Sequence, residues 1–430
     1  MPKVLYVLHN HPDVRPGGAE TYALELYEFM RDYGEFEPIL LSRTGPPHSA
    51  VERYHEGTLV TMVNGDPNQY FFYTDKNDYD WLNGTSFSKA TFTRFFRDFL
   101  RALRPDVVHF QHTLFLGYDI VRETRNTLPD ASIVYTLHEY MPICHRNGQM
   151  VRVGSDDPCL ESSPRRCHEC FPNISPQSFF LRKRFISSHL ALVDRFLAPS
   201  KFLRERYVDW GIPRHKVTYE DYGRLRTMGL VPPGDADEER PRNRLGFFGQ
   251  FNYFKGVAVL LKAMALLAEE GSDVHLWLHG ANLELQSDEF RDEFSELLDA
   301  AAGSVTLVGR YERRELAQLM ANVDWVIVPS IWWENSPLVI QEAFLCRRPV
   351  ICSDIGGMAE KVGHGVNGLH FRTGDPEALA KAIGEAVHTP DLWKRLRAGI
   401  PDVYSMEEHV AALTQLYREL GDRRLETSSA

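Results

Sequence analysis

Two carboxylates in the segment WWENSPLVIQEAF, residues 332–344, have the types and spacing to do chemistry: Glu334 and Glu342, with seven residues between them. On one continuous helix they would stand ~12 Å apart along the axis and ~80° apart around it, which suits neither an ion pair nor a paired acid and base. The spacing gains meaning if a helix begins between them. Ser336 followed by Pro337 is a favoured N-cap and first-turn pair, so a helix is expected to start there. Glu334 then lies in the loop ahead of the helix and Glu342 about a turn and a half inside it. Free amides near Leu338 and Val339, at the positive end of the helix dipole, suit a phosphate, and the two acids could hold hydroxyl groups on either side of a diphosphate. The plainer alternative is a decorated loop and a solvated helix face.

Other residues have comparable potential. Lys255 stands at an expected helix start, where a cation is unfavourable unless an anion shares the site. His138 ends the apolar run SIVYTLH; a histidine there is either a satisfied structural group or a hydrogen-bonding group of a site. Gly17 and Gly18 follow the first apolar run and open a helix, which permits close approach of a phosphate or an acceptor to the backbone, or is a plain turn. No G-x-G-x-x-G is present there, which argues against a dinucleotide-dependent dehydrogenase. Four of six cysteines fall within 27 residues, at Cys144, Cys159, Cys167 and Cys170. Their C-x2-C pair and polar surroundings predict a structural four-thiolate zinc site, with an iron–sulfur cluster or disulfides as alternatives and His145 or His168 as substitute ligands. Cys346 and Cys352 read as core thiols.

The elements that must position these groups alternate between strand and helix. In the second half, LGFFG, VHLWLHG, SVTLVG, DWVIVPS, PVICSD and GLHFRT read as strands, with helices from Lys255, near 288–301, at 312–322, from 337 and along DPEALAKAIGEAV. In the first half KVLYVLHN, FEPILLSR, DVVHFQH, SIVYTLHE and DRFLAPS read as strands, with helices at 18–33, 86–104 and 176–193. This alternation implies two doubly wound α/β domains, facing each other across a cleft. DWVIVPS places Glu334 at the carboxyl end of a strand, where such sheets bind ligands. The expected division is an N-terminal domain over 1–230, with a cysteine-rich insert at 141–175, and a C-terminal domain over 231–404. The joint is the proline-rich, charged segment 231–244. A final amphipathic helix at 405–425 either caps the second domain or returns to the first.

A chain of 430 residues with a net charge of −11 is large enough for two cores and is not a general nucleic-acid binder. No apolar run reaches the length of a membrane span, and few cysteines with no leader-like segment point to a reducing, cytoplasmic setting. Two basic amphipathic stretches, 92–104 and 179–193, raise peripheral contact with the inner face of a membrane as a secondary expectation, set against ordinary core packing.

ENSPLVIQE resembles the E-x7-E motif of retaining family 4 glycosyltransferases, of GT-B fold and bacterial surface-polysaccharide type. The resemblance extends through GGAE (17–20), TLHE (136–139), FFGQFNYFKG (247–256), VGRYERRELAQLMANVDWVIVPS and SDIGGMAEKVGHGVNGLHF. It implies transfer of a sugar from a nucleotide-diphosphate-sugar donor to a hydroxyl of a glycan or lipid-linked glycan, with no catalytic divalent metal. Glu334 would contact hydroxyls of the transferred sugar, Glu342 the ribose, Lys255 the diphosphate, and His138 the sugar or reacting centre. Gly17, Gly18, Gln250, Asn335, Ser336, Leu338 and Val339 would complete the donor site. The family usually has arginine where this chain has Gln250; Arg224 and Arg226 are possible replacements. The rival expectations are a nucleotide-sugar epimerase or hydrolase of the same fold, and a non-catalytic metal-stabilised binding protein.

Overall fold

A computed structural model describes residues 1–15, 17–45, 60–63, 65–87, 89–225 and 240–428. The chain divides into two compact units, one made of Met1–Gly223 and Met406–Ala430, the other of Arg224–Ser405. The start of the expected joint, 231–239, and Arg226 lie outside the described residues.

Strands of the first unit are β1 (Lys3–Leu8), β2 (Glu37–Thr44), β3 (Val60–Val63), β4 (Asp66–Tyr73), β5 (Tyr79–Asp80), β6 (Thr85–Ser86), β7 (Val107–Phe110), β8 (Ser132–Thr136), β9 (Arg195–Ala198) and β10 (Val217–Tyr219). Among the described residues, eight of them form one sheet in the order β10-β9-β8-β7-β1-β2-β4-β3, parallel except for the β3–β4 pair, while β5 and β6 make a separate hairpin. The central strands read as unbroken apolar runs because helices cover both faces; Val4 to Leu8 are fully buried. β1 lies between β7 and β2, so the order of the parallel strands reverses at the β1/β7 boundary, the position where a doubly wound sheet leaves a crevice at its carboxyl edge.

The second unit contributes β11 (Arg244–Gln250), β12 (His275–Ala281), β13 (Val305–Gly309), β14 (Trp325–Val328), β15 (Val350–Ser353) and β16 (Gly368–Phe371). They form an all-parallel sheet in the order β13-β12-β11-β14-β15-β16, with the reversal between β11 and β14. The loops leaving those two strands carry Gln250 to Gly256 and Pro329 to Pro337, so topology alone brings Lys255 and Glu334 to one edge.

Several boundaries differ from expectation for local reasons. The helix after β14 runs Leu338–Leu345, with Pro337 in extended conformation as its N-cap and no capping side chain. Ser336 therefore does not cap it. A 3-10 turn, Tyr253–Lys255, precedes the helix Val257–Glu269, so Lys255 ends a turn rather than starting a helix. A second 3-10 turn, Arg313–Glu315, shortens the helix expected at 312–322 to Leu316–Ala321. The last helix, Met406–Ser428, belongs to the first unit, where His409 reaches Tyr22 at 2.6 Å and Tyr417 reaches His109 at 2.7 Å.

The amphipathic helix Lys89–Leu103 buries Phe96 and Leu100 completely, and Phe92 and Phe99 pack edge-on against Phe72 and Tyr70 of β4. Its apolar face is core. In the helix Pro176–Leu190, Arg182 is buried and donates to the carbonyls of Met141 and Pro142, so it braces the turn after TLHE rather than facing solvent; Phe180 and Leu181 are exposed. No described helix is long and apolar enough to cross a membrane.

Candidate active site

In the second unit the loop after β14 is held by backbone contacts that leave no room for side chains. A Cβ on Gly256, which has φ +69°, would stand 1.9 Å from the Pro329 carbonyl oxygen, and one on Gly357 would stand 1.7 Å from that of Asn335. Ile331 N–H donates to Phe254 O at 2.9 Å, and Gly357 N–H to Glu334 O at 2.7 Å. This bracing fixes Glu334, which is buried. Its Oε1 accepts from Lys255 Nζ at 2.6 Å, Ser330 Oγ at 2.8 Å and Trp332 Nε1 at 2.9 Å. All three donors converge on one oxygen, which leaves Oε2 without a partner among the described residues.

Glu342, inside the helix, accepts from Arg224 Nη2 at 2.6 Å. The Arg224 side chain is fully buried and that of Glu342 only 14 % exposed, so the pair is an internal one. Burial lowers the pKa of Arg224 and of Arg313, and the charge of Glu342 opposes the shift in both. Leu338 and Val339 begin the helix, and Asn335 accepts from Ser336 N–H through Oδ1 at 2.5 Å. Gln250 ends β11 and is exposed, with Asn252 Nδ2 3.4 Å from its Oε1. The sequence signals no link between Arg224 and Glu342; the fold places the guanidinium on that acid rather than at Gln250.

In the first unit, His138 is buried beyond the end of β8. Its Nδ1 lies 2.6 Å from Tyr222 Oη and its Nε2 2.9 Å from Gln111 Oε1. Burial, and then the charge of His9, pull its pKa down to about 3, so the ring is neutral. It follows that Nε2–H donates to Gln111 and Nδ1 accepts from Tyr222. Glu139, the next residue, is pushed up to about 8 by burial against the opposing charge of Arg182. Gly17 and Gly18 open the helix Gly18–Tyr33, and the space a Cβ would take on Gly17 is filled by the Glu20 carboxylate, 2.4 Å from that position. Glu20 in turn faces His9 Nε2 at 3.0 Å. His9, Glu20, Gln111 and Tyr222 were not singled out from sequence, although VVHFQH, with two polar residues just past an apolar run, carried a usable signal.

The cysteines depart from expectation. Cys167 and Cys170 ride on a short helix, Pro164–Cys170, and Cys159 Sγ donates to Glu161 O at 3.2 Å. All four line one cavity of about 30 Å³, yet no described group of three or more His, Cys, Asp or Glu side chains is arranged to hold a metal ion. The zinc site, and equally the iron–sulfur alternative, finds no support among the described residues. Burial raises the pKa of Cys144, and burial with the neighbouring Cys144 and Cys159 lifts that of Cys167 to about 11.

Two largely parallel sheets, the second with acids and a lysine at its carboxyl edge, define a doubly wound α/β protein of two Rossmann-like units. Residues 16–219 match Glycosyltransferase Family 4 and residues 242–389 match Glycosyl transferases group 1, so the chain carries one glycosyltransferase domain of each description. It is 26% identical to a D-inositol 3-phosphate glycosyltransferase of Jonesia denitrificans over 91% of this chain and 89% of that one. A protein of that description from Thermobispora bispora is 23% identical over 97% and 94%. Among solved structures, Anabaena HepE in complex with UDP and glucose matches with TM-score 0.63 and 17% identity over the full length of both chains. Sucrose-phosphate synthase from Thermosynechococcus elongatus matches with TM-score 0.69 and 19% identity over 97% and 99%. The fold is GT-B, and the protein is a glycosyltransferase.

Proposed function

We propose that this enzyme transfers a sugar, with retention of anomeric configuration, from a nucleotide-diphosphate sugar to a hydroxyl of a glycan or lipid-linked glycan. The reading rests above all on the Glu334 carboxylate, held by three donors on Oε1 with Oε2 left for a ligand. Oε2 accepts from a hydroxyl of the transferred sugar. Lys255, paired with Glu334, swings to the diphosphate when donor binds and stabilises the charge that grows on the leaving group. The first-turn amides of Leu338 and Val339 receive phosphate oxygens, and Glu342, oriented by Arg224, accepts from the ribose. The acceptor hydroxyl attacks the anomeric carbon on the face the nucleotide leaves, and its proton passes to the departing phosphate. His138 stays neutral and hydrogen-bonds rather than attacks.

A nucleotide-sugar donor is also supported by the UDP present in the HepE structure. An inositol phosphate is a candidate acceptor class, given the names of the relatives. Phe180 and Leu181, exposed beside Lys183 and Arg184, suit peripheral contact with a membrane that carries a lipid-linked acceptor. The test is a thermal-shift screen of UDP-, GDP- and ADP-sugars, followed by NMR of the anomeric proton in the product. Retention of the donor configuration is expected; inversion would defeat the mechanism, and consumption of donor without any acceptor would favour a hydrolase.

A further inference from the structure

In the first unit, β7 and β8 are neighbouring parallel strands with Phe110 opposite Tyr135, and the loops that leave them bring two polar side chains together at the carboxyl edge. His112 stands just beyond β7 and Glu139 just beyond β8. His112 Nε2 and Glu139 Oε1 lie 3.9 Å apart, too far for a hydrogen bond. Neither atom has another hydrogen-bond partner among the described residues. The side chains are 10 % and 18 % exposed, so the gap between them is sheltered yet open to a ligand.

Each group is held by its other atom. The Leu114 backbone N–H donates to His112 Nδ1 at 3.1 Å. A backbone amide can only donate, so Nδ1 carries a lone pair, the ring is neutral and its proton sits on Nε2. Burial pulls the pKa of His112 well below its ordinary value, in agreement with a neutral ring. Glu139 Oε2 accepts from the Met141 backbone N–H, and Tyr207 Oη donates to the Glu139 carbonyl at 2.7 Å. Glycine at position 148 makes room for this arrangement, since a Cβ there would stand 2.8 Å from Oε2. Burial raises the Glu139 carboxyl to about 8 against the opposing charge of Arg182, so at neutral pH it keeps a proton. With Oε2 taken by a donor, that proton sits on Oε1.

Two donors, His112 Nε2–H and Glu139 Oε1–H, therefore converge on one gap. A single oxygen with two lone pairs fits it: standing ~2.8 Å from each atom, it would span the gap at an angle of ~90°. Neither donor is charged, and Arg182 is committed to the carbonyls of Met141 and Pro142, so the pair offers little to offset the cost of burying an anion. A neutral hydroxyl suits the gap, and a phosphate dianion does not.

We propose that His112 and Glu139 form a subsite of the first unit that binds one hydroxyl of a polyol. That this polyol is the acceptor rests on the function proposed above. The hydroxyl held here anchors the molecule rather than reacts, because both of its lone pairs are engaged.

The test needs no donor. The full-length chain, with isotope-labelled histidine, is titrated by NMR with myo-inositol, D-glucose, D-galactose and glycerol, and with inorganic phosphate as the charged control. At least one polyol is expected to shift the His112 Nε2–H signal, which is assigned by its loss in His112→Phe. Affinity for that polyol, read from the polyol's own signals, is expected to fall about fivefold or more in His112→Phe and in Glu139→Leu, the scale of one neutral hydrogen bond. It is expected to stay within about twofold in Glu139→Gln, whose amide keeps an oxygen for Met141 and places a donor where Oε1 was. Thermal melts check that each variant folds, and the wild-type His112 signal decides the matter if one does not. Four results would each overturn the subsite: no shift with any polyol, tighter binding of phosphate than of every polyol, unchanged polyol affinity in folded His112→Phe or Glu139→Leu, or a loss in Glu139→Gln equal to that in Glu139→Leu. A chain that binds a polyol here but no nucleotide sugar would keep the subsite and strike only the proposed function.

Discussion

Lys255 Nζ lies 2.6 Å from Glu334 Oε1, although 79 residues separate the two in sequence. The pairing follows from topology, since β11 and β14 are neighbours and the loops after them share one edge. A cation and an acid held together, with Trp332 and Ser330 also on the acid, form a preorganised charge pair that an anionic ligand can divide between its phosphate and its sugar.

The two glutamates should separate kinetically. Glu334→Ala is expected to lower kcat strongly with little change in nucleoside diphosphate affinity, whereas Glu342→Gln is expected to weaken that affinity about tenfold, the scale of one charged hydrogen bond. Titration with the nucleoside diphosphate alongside steady-state rates checks both. Equal small effects on both measurements would remove the division of labour.

Glu342 also holds up the fold. Removing one partner of a buried ion pair costs ~3–5 kcal/mol, because the other charge stays buried and loses that compensation. Glu342→Ala should therefore lower the unfolding free energy by about that amount, since Arg224 has no exposed side-chain surface. Replacing both, Arg224→Met with Glu342→Leu, should recover most of the loss in a denaturant titration.

Stability should also depend on Glu139 with a defined sign. Its carboxyl is raised from the ordinary 4.5 to about 8 by burial, with Arg182 opposing. The folded state thus keeps a proton that the unfolded chain gives up. The associated stability is fully present below about pH 4.5 and is lost as pH rises through 8. Glu139→Gln should gain stability relative to wild type between pH 5 and pH 8; a difference that stays flat would mean the carboxyl is not protonated.

Cys167, with its pKa lifted to about 11, should alkylate slowly at pH 7, by about a hundredfold relative to an ordinary thiol, because only the thiolate reacts. The rate should not respond to a chelator. A chelator-dependent rise, with release of about one metal per chain, would restore the four-thiolate site that the spacing suggested.

Much of this architecture was legible in the sequence, and the exceptions have physical causes. Buried parallel strands such as KVLYVL and WVIV announce themselves as apolar runs, and the helix Gly18–Tyr33 matches its expected span. β4, DPNQYFFY, mixes proline, asparagine and aromatic residues because only one of its eight positions is fully buried, so it carries no clean period. The Ser336-Pro337 signal was misplaced by one residue because Pro337 takes an extended conformation at the N-cap. Side-chain partnerships were the least legible. The Arg224–Glu342 pair spans 118 residues and the Gln111–His138 bond 27, and only the strand order brings their members together. The cysteine spacing allowed a metal, but spacing does not report the short helix that carries Cys167 and Cys170 or the contact of Cys159 with the Glu161 carbonyl.

The most direct test of the central claim is the acceptor-dependent rate at which nucleoside diphosphate is released from the screened donor by wild type and by Lys255→Ala, at saturating donor with the acceptor present. Wild type should release it with a stable product, and the variant should be slower by two to three orders of magnitude, the ~3–4 kcal/mol that a lost transition-state charge partner costs. Release by Lys255→Ala at the wild-type rate, or no release by wild type from any nucleotide sugar, would contradict the account.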